Sequence, residues 1–174
     1  MPVGVKILKM GKELEKRERL PVSVSSAVFI EDKQGRLLLL QQAAKRKGHR
    51  WGPPAGGIEP HEDPITTALR ETREEIDVGI ELINLVGIYT VDRGNNATGI
   101  GFVFRGKITS GKITPSQGEI MNFKFFSPQE IERLIKSGML YKPEYNLTSI
   151  RDYLAGQSFP LGVISRLNIE EKLC

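Results

Sequence analysis

The sequence predicts an α+β fold. Strand-like segments outnumber helical ones, and the helical segments follow runs of strands instead of alternating strictly with them. At 174 residues the chain has the length of one domain with its own core.

Residues 21–31 (PVSVSSAVFIE) are rich in β-branched side chains and alternate in part, as a strand does. Residues 32–35 supply turn chemistry, and residues 36–42 return as a second strand, so the two read as a hairpin. Residues 51–57 hold two prolines and three glycines, which excludes a regular helix. Asp63 can cap the next helix, with Pro64 at its first position, where a missing N–H costs nothing. Ile65, Ala68, Leu69, Thr72 and Ile76 recur at helical intervals and predict its buried face, and Asp77 and Gly79 end it. Residues 80–91, 99–108 and 120–126 are strand-like. Ser127, Pro128 and Glu130 open a second helix in capping-box form. A third helix is predicted over residues 145–155, stopped by Gly156.

Composition narrows the function classes. Hydrophobic residues make up 39% and charged residues 26%, the balance of a soluble globular protein. The longest aliphatic run, Leu37 to Leu40, is far short of the ~20 apolar residues that span a bilayer, so no membrane partner is expected. Residues 1–20 lack the apolar core of a secretory signal. The sole cysteine, Cys174, permits no internal disulfide, and a cytoplasmic location is the expectation. No linker or repeat divides the chain. The expected organisation is a basic amino-terminal segment (1–20), one catalytic domain (21–156) and a tail (157–174).

Charge is unevenly placed along a chain of net charge +4. A basic cluster of Lys45, Arg46, Lys47 and Arg50 precedes the glycine turn, and acidic residues dominate from Glu59 to Glu75. Basic groups beside an acidic pocket suit a polyanion held by metal and cations together. Glu71, Glu74 and Glu75 fall within roughly a third of the helical circumference, at 3.6 residues per turn. Like charges so spaced destabilise an isolated helix by about 0.2–0.5 kcal/mol per pair. Arg70 can offset part of this through Glu74, and Arg73 can pair with Asp77. A divalent ion with oxygen ligands would neutralise the rest, and Mg²⁺ suits carboxylates combined with substrate phosphate.

The spacing is more specific than the charge. Gly56, Glu62, Arg70, Glu71, Glu74 and Glu75 fit G-x5-E-x7-R-E-U-x-E-E-x-G-U, with U aliphatic, and the chain resembles the Nudix hydrolase family. The run Trp51-Gly52-Pro53-Pro54-Ala55-Gly56-Gly57 is similar to the family's W-x-x-P-G-G, and Phe125-Phe126-Ser127-Pro128 to its strand-to-helix junction. Three positions depart from the pattern: Thr72 for an aliphatic residue, Asp77 for glycine, and Ala55 for the first glycine of the turn.

The resemblance implies an α/β/α sandwich with a mixed sheet, its catalytic loop and helix following the early strands. It implies that Glu71, Glu74 and Glu75 bind Mg²⁺ (with Mn²⁺ as a substitute) together with the Ala55 carbonyl. Arg70 would hold the glutamates in register, Gly56 and Gly57 would form the turn, and Glu62 would stabilise its junction with the helix. Water activated by the cation would attack phosphorus in a phosphoanhydride. Glu74, Glu75 or a later acidic residue would serve as base, with Glu119 the loop candidate. Lys45, Arg46 and Arg50 are candidate contacts for terminal phosphates. His49 and His61 are not required, and Trp51 could wall the pocket or join the core.

The expected substrate is a nucleoside di- or triphosphate or a related nucleoside diphosphate derivative. Residues 149–161 are similar to the tail of a bacterial subgroup acting on such compounds. Two other readings remain open: removal of pyrophosphate from RNA 5′ ends, and a catalytically silent nucleotide-binding regulator. A homodimer is compatible with all three.

Overall fold

The structure is a computed structural model that describes residues 21–43, 48–94 and 97–165. Seven strands and three α-helices occur among them, in the order β1 (Val22–Ile30), β2 (Leu37–Gln42), β3 (Trp51–Gly52), β4 (Ala55–Gly57), α1 (Pro64–Ile76), β5 (Gly79–Asp92), β6 (Thr98–Ser110), β7 (Ile120–Phe126), α2 (Pro128–Lys136) and α3 (Pro143–Leu154). The class is α+β, as the sequence predicts.

The strands form two sheets. One has the order β4-β1-β6-β5 and the other β3-β2-β7. The first is mixed: β1 runs parallel to β6, from Val22 opposite Thr98 to Ile30 opposite Gly106, while β4 and β5 pair antiparallel. The second is antiparallel throughout.

The expected hairpin of the first two strands does not form. The turn is present, with the Asp32 N–H donating to the Arg36 carbonyl at 3.0 Å, but only Glu31 and Leu37 bridge across it. Beyond that bridge β1 pairs with β4 and β6, and β2 with β3 and β7. A turn motif specifies a local reversal, and partners far along the chain decide where the strands go afterwards.

Strand β2 explains the layering. Leu38 and Leu40 join Val28, Ile30, Phe104, and Ala68 and Ile76 of α1 in one buried cluster. Leu37 and Leu39 face the other way, into a cluster with Phe29, Val103, Ile131 of α2 and Ile150 of α3. A strand covered on both faces reads as a continuous apolar run, which is why Leu37 to Leu40 are all buried. The result is the expected α/β/α sandwich, with α1 on one side and α2 and α3 on the other.

The helix ends follow the sequence signals. Asp63 caps α1 by accepting from the Thr66 N–H at 2.8 Å, and Ser127 and Glu130 complete a capping box on α2. The buried face of α1 is shifted from the predicted stripe: Leu69 is 39% exposed and Ile65 half-buried, while Thr67 and Glu75 are buried. Asp77 adopts the left-handed conformation (φ 54) at the end of α1, the position where the family pattern has glycine. Arg73 forms no ion pair with it; the contact is the Asp77 N–H on the Arg73 carbonyl at 2.9 Å. After α3 the chain lies along β5, where Leu85 and Phe159 exchange two backbone hydrogen bonds of 2.8 and 2.9 Å. Among the described residues no helix is long and apolar enough to cross a membrane.

Because β2 is covered on both faces, Leu38→Ala and Leu39→Ala should each destabilise the fold by about 2–5 kcal/mol, measured by urea unfolding. A loss below about 1 kcal/mol at only one of them would show that face to be open.

Candidate active site

The site is built around Arg70 on the first half of α1. Its Nε and Nη2 donate to the two oxygens of Glu62 at 2.7 and 3.0 Å, a bidentate pair. Its Nη1 donates to Glu71 Oε1 at 2.8 Å and to Glu74 Oε2 at 2.9 Å. Nη2 also donates to the Gly57 carbonyl at 3.0 Å, which ties the glycine turn to the helix. One guanidinium therefore binds three carboxylates and a backbone carbonyl.

Glu62 is itself a junction. Its Oε2 also accepts from the Glu59 N–H at 3.1 Å and the Thr67 hydroxyl at 2.8 Å. The Arg70 guanidinium, with these further donors, holds the Glu62 carboxyl at about 2, well below its ordinary 4.5. Glu71 lies against the turn: a Cβ added at Gly56 would overlap its carboxylate, so this turn position must be glycine for Glu71 to reach its place. Burial pushes the Glu71 carboxyl upward, Arg70 opposes that, and the charges of Glu74 and Glu119 add to the rise.

Glu75 is 5% exposed, and its Oε2 accepts from the Ala55 N–H at 3.0 Å. The third carboxylate thus faces the same turn from within. Thr72, the departure from an aliphatic pattern, is buried and donates its hydroxyl to the Ala68 carbonyl at 2.8 Å, so its polar atom is satisfied inside its own helix.

Glu119 arrives from the loop between β6 and β7. This loop seals the end of α1: the Ser116 N–H donates to the Glu75 carbonyl and the Thr114 N–H to the Ile76 carbonyl, both at 2.9 Å. These carbonyls have no partner within the helix, so the loop satisfies them and is positioned by them. The Glu119 carbonyl also accepts from the Ala43 N–H at 2.7 Å. Its side chain is exposed and close enough to Glu71 for the two charges to interact.

Glu71 and Glu74 share one cationic partner within the protein, the Arg70 guanidinium. Among the described residues no three Asp, Glu, His or Cys side chains are gathered into a ready cation cage. Glu71 and Glu74 nonetheless hold oxygens within 2.9 Å of one nitrogen, beside the glycine turn at Ala55–Gly57. An all-oxygen donor set of this kind fits a hard divalent cation.

Other expected residues are distributed differently. Lys45 and Arg46, with Lys47, lie outside the described residues. Arg50 is exposed and borders neither cavity beside the turn; its carbonyl accepts from the Gln42 N–H at 3.1 Å. Trp51 belongs to the core, packed edge-to-face on Phe126 with ring centres 4.9 Å apart.

A cleft opens beside the turn, and the sequence reading did not find its walls. A cavity of about 250 Å³ borders Ala55, Gly56 and Gly57. A larger one of about 660 Å³ continues over β6 past Gly99 and Gly101. Arg93, Tyr141, Lys142 and Tyr145 line both. They come from the loop after β5, the segment between α2 and α3 and the first turn of α3, which no local spacing connects.

Comparison with known proteins agrees with this construction. A family model of the NUDIX domain matches residues 21–145. The chain belongs to the Nudix family. A MutT-like protein of Streptomyces ambofaciens is 34% identical over 111 residues, 63% of this chain and 66% of that protein. The 8-oxo-dGDP phosphatase NUDT18 of Mus musculus is 33% identical over 91 residues, 52% of this chain and 27% of its own. The chain therefore spans less than two thirds of these relatives. A solved NUDIX hydrolase from Nitrosomonas europaea superposes with a TM-score of 0.74 at 29% identity, covering 84% of this chain and 97% of that one. In this Nudix chain the family pattern is thus carried by one arginine and the turn it grips.

The depressed Glu62 carboxyl gives a pH signature. A carboxyl lowered on folding contributes stability above its unfolded value, near 4.5, and loses it as pH falls through about 2. In Arg70→Met this contribution is absent, so the stability gap between wild type and variant should narrow as pH drops from 4.5 towards 2. A gap constant across that window, by denaturant titration, would show that the Arg70–Glu62 pair is not its source.

Proposed function

We propose that the chain hydrolyses a phosphoanhydride bond in a nucleoside di- or triphosphate, or a related nucleoside diphosphate derivative, by attack of water on phosphorus. The carrying observation is that Glu71 and Glu74 share the Arg70 guanidinium while Glu75, beside them on α1, bonds the glycine turn, next to a cleft with basic walls. Family membership and the likeness to a nucleotide phosphatase support the same reading.

Glu71, Glu74 and Glu75, with the Ala55 carbonyl, would hold Mg²⁺, for which Mn²⁺ could substitute. Bound there, the cation lowers the pKa of water and neutralises charge on the phosphoryl oxygens. Arg70 keeps Glu71 and Glu74 in place and leaves Glu74, whose side chain is 56% exposed, turned towards solvent. Glu75 keeps the turn at a fixed distance through the Ala55 N–H. Glu119 is the proposed base, since the loop that seals α1 brings it beside Glu71 without occupying the turn.

The test is phosphate release from a panel of nucleotides, sugar nucleotides, dinucleotides and triphosphorylated RNA with Mg²⁺, Mn²⁺ or EDTA. Release from free nucleotides that disappears in EDTA is the expected result. Glu74→Gln and Glu75→Gln should each lower turnover roughly 100-fold or more with little change in thermal unfolding, because the amide preserves shape and an acceptor oxygen. Full activity in both would remove α1 from the catalytic role. Glu119→Gln should lower kcat and flatten the acid limb of the pH–rate profile; an unchanged profile would assign Glu119 to the surface.

A further inference from the structure

Tyr145 walls both cavities beside the glycine turn. Its hydroxyl is buried without a hydrogen-bond partner and rests on Gly101, where any Cβ would collide with it. No hydrogen bond of its own fixes this side chain, so packing must. The start of α3 gives little help: Lys142 stands at φ 44 and supplies no side-chain cap to the first turn.

The packing comes from Tyr89 on β5. Its ring meets that of Tyr145 edge-to-face, with centres 5.7 Å apart and planes at 80°. Its hydroxyl donates to Asp152 Oδ2 at 2.8 Å. Tyr145 and Asp152 lie two helical turns apart on α3 and so share one stripe. Tyr89 spans that stripe, with its ring against one end and its hydroxyl on the other. Gly87 leaves room for this, because an added Cβ there would stand 2.7 Å from the Tyr89 hydroxyl oxygen. Neither Tyr89 nor Asp152 borders either cavity.

Holding α3 to the sheet does not require this pair. Ile150 is buried in the cluster shared with α2, and Tyr153 donates to Glu31 Oε2 at 2.6 Å, a carboxylate that Arg105 also bonds. The Tyr153 ring packs edge-on against Phe29, with centres 5.2 Å apart. These contacts anchor the second half of the helix. Tyr89 links that anchored half to the tyrosine at the cleft.

We propose that Tyr89 and Asp152 are positioning residues: their hydrogen bond locks the Tyr89 ring against Tyr145 and so sets the width of the cleft from behind its wall. The consequence for turnover rests on the hydrolase reading, in which Tyr145 bounds the space that a bound nucleotide enters. Loss of the bond weakens substrate binding and spares the chemical step, because the bond joins β5 to α3 and leaves the Arg70 network of α1 untouched.

Tetranitromethane nitration with mass-spectrometric mapping reads the positioning without any substrate, since the four tyrosines of the chain report separately. Tyr145 should be nitrated about fivefold or more faster in Tyr89→Phe and Asp152→Ala than in wild type, with Tyr153 unchanged as the internal control. Asp152→Asn should restore the slow rate, because its amide oxygen still accepts. The double change Tyr89→Phe with Asp152→Ala should go no further than either alone. Steady-state hydrolysis of the nucleotide panel reads the consequence: in Tyr89→Phe, KM should rise about threefold to tenfold while kcat stays within about twofold. Tyr89→Phe keeps the ring and carries the test if Asp152→Ala does not fold, as judged by circular dichroism. An unchanged Tyr145 rate overturns the proposal, and so do Tyr145 and Tyr153 accelerating together, which would mean general loosening. A selective change at Tyr145 with KM unmoved overturns it as well. If wild type hydrolyses nothing in the panel, the hydrolase reading falls, and the nitration rates alone decide whether the pair positions Tyr145.

Discussion

The site depends on one guanidinium reaching across a glycine turn. Arg70 is bonded to Glu62 before the helix, to Glu71 and Glu74 on it, and to the Gly57 carbonyl of the turn. Remove it and three carboxylates would repel at close range while the turn lost its tether. Gly56 is the complementary constraint, because Glu71 occupies the space in which any other side chain would begin. Arginine, glycine and glutamates form a single unit, which explains why their spacing along the chain is so specific.

The rest of the fold serves to fix that unit from two sides. The continuous apolar run of β2 belongs to both buried clusters, so α1 and the pair α2 and α3 are held against opposite faces of one framework. The loop between β6 and β7 then spends its backbone N–H groups on the last carbonyls of α1. That contact satisfies the helix end and, by the same bonds, delivers Glu119 to the carboxylates. The same bonds thus stabilise the helix end and position the proposed base.

Much of the fold was legible because its signals are local. The Asp63 cap, the Ser127 and Glu130 capping box and the stop at Gly156 each act within a few residues. The hairpin expected of β1 and β2 is absent for the opposite reason. Its turn is real, yet β1 finds a parallel partner about 75 residues away in β6, which no turn residue encodes. Leu69 lies outside the core and Thr67 within it, because helical periodicity defines a stripe but not its edges.

The sequence by itself determined the family, the carboxylates and the residues that orient them, because all of these fall within one turn and one helix whose geometry is set by spacing. Only the tertiary structure decided what stands opposite. Arg93, Tyr141, Lys142 and Tyr145 come from separate parts of the chain and become neighbours through the parallel pairing of β1 with β6 and the packing of α3 on β5. Local rules place groups along a helix, but a cleft exists only between elements, and its chemistry follows from which elements the core brings together.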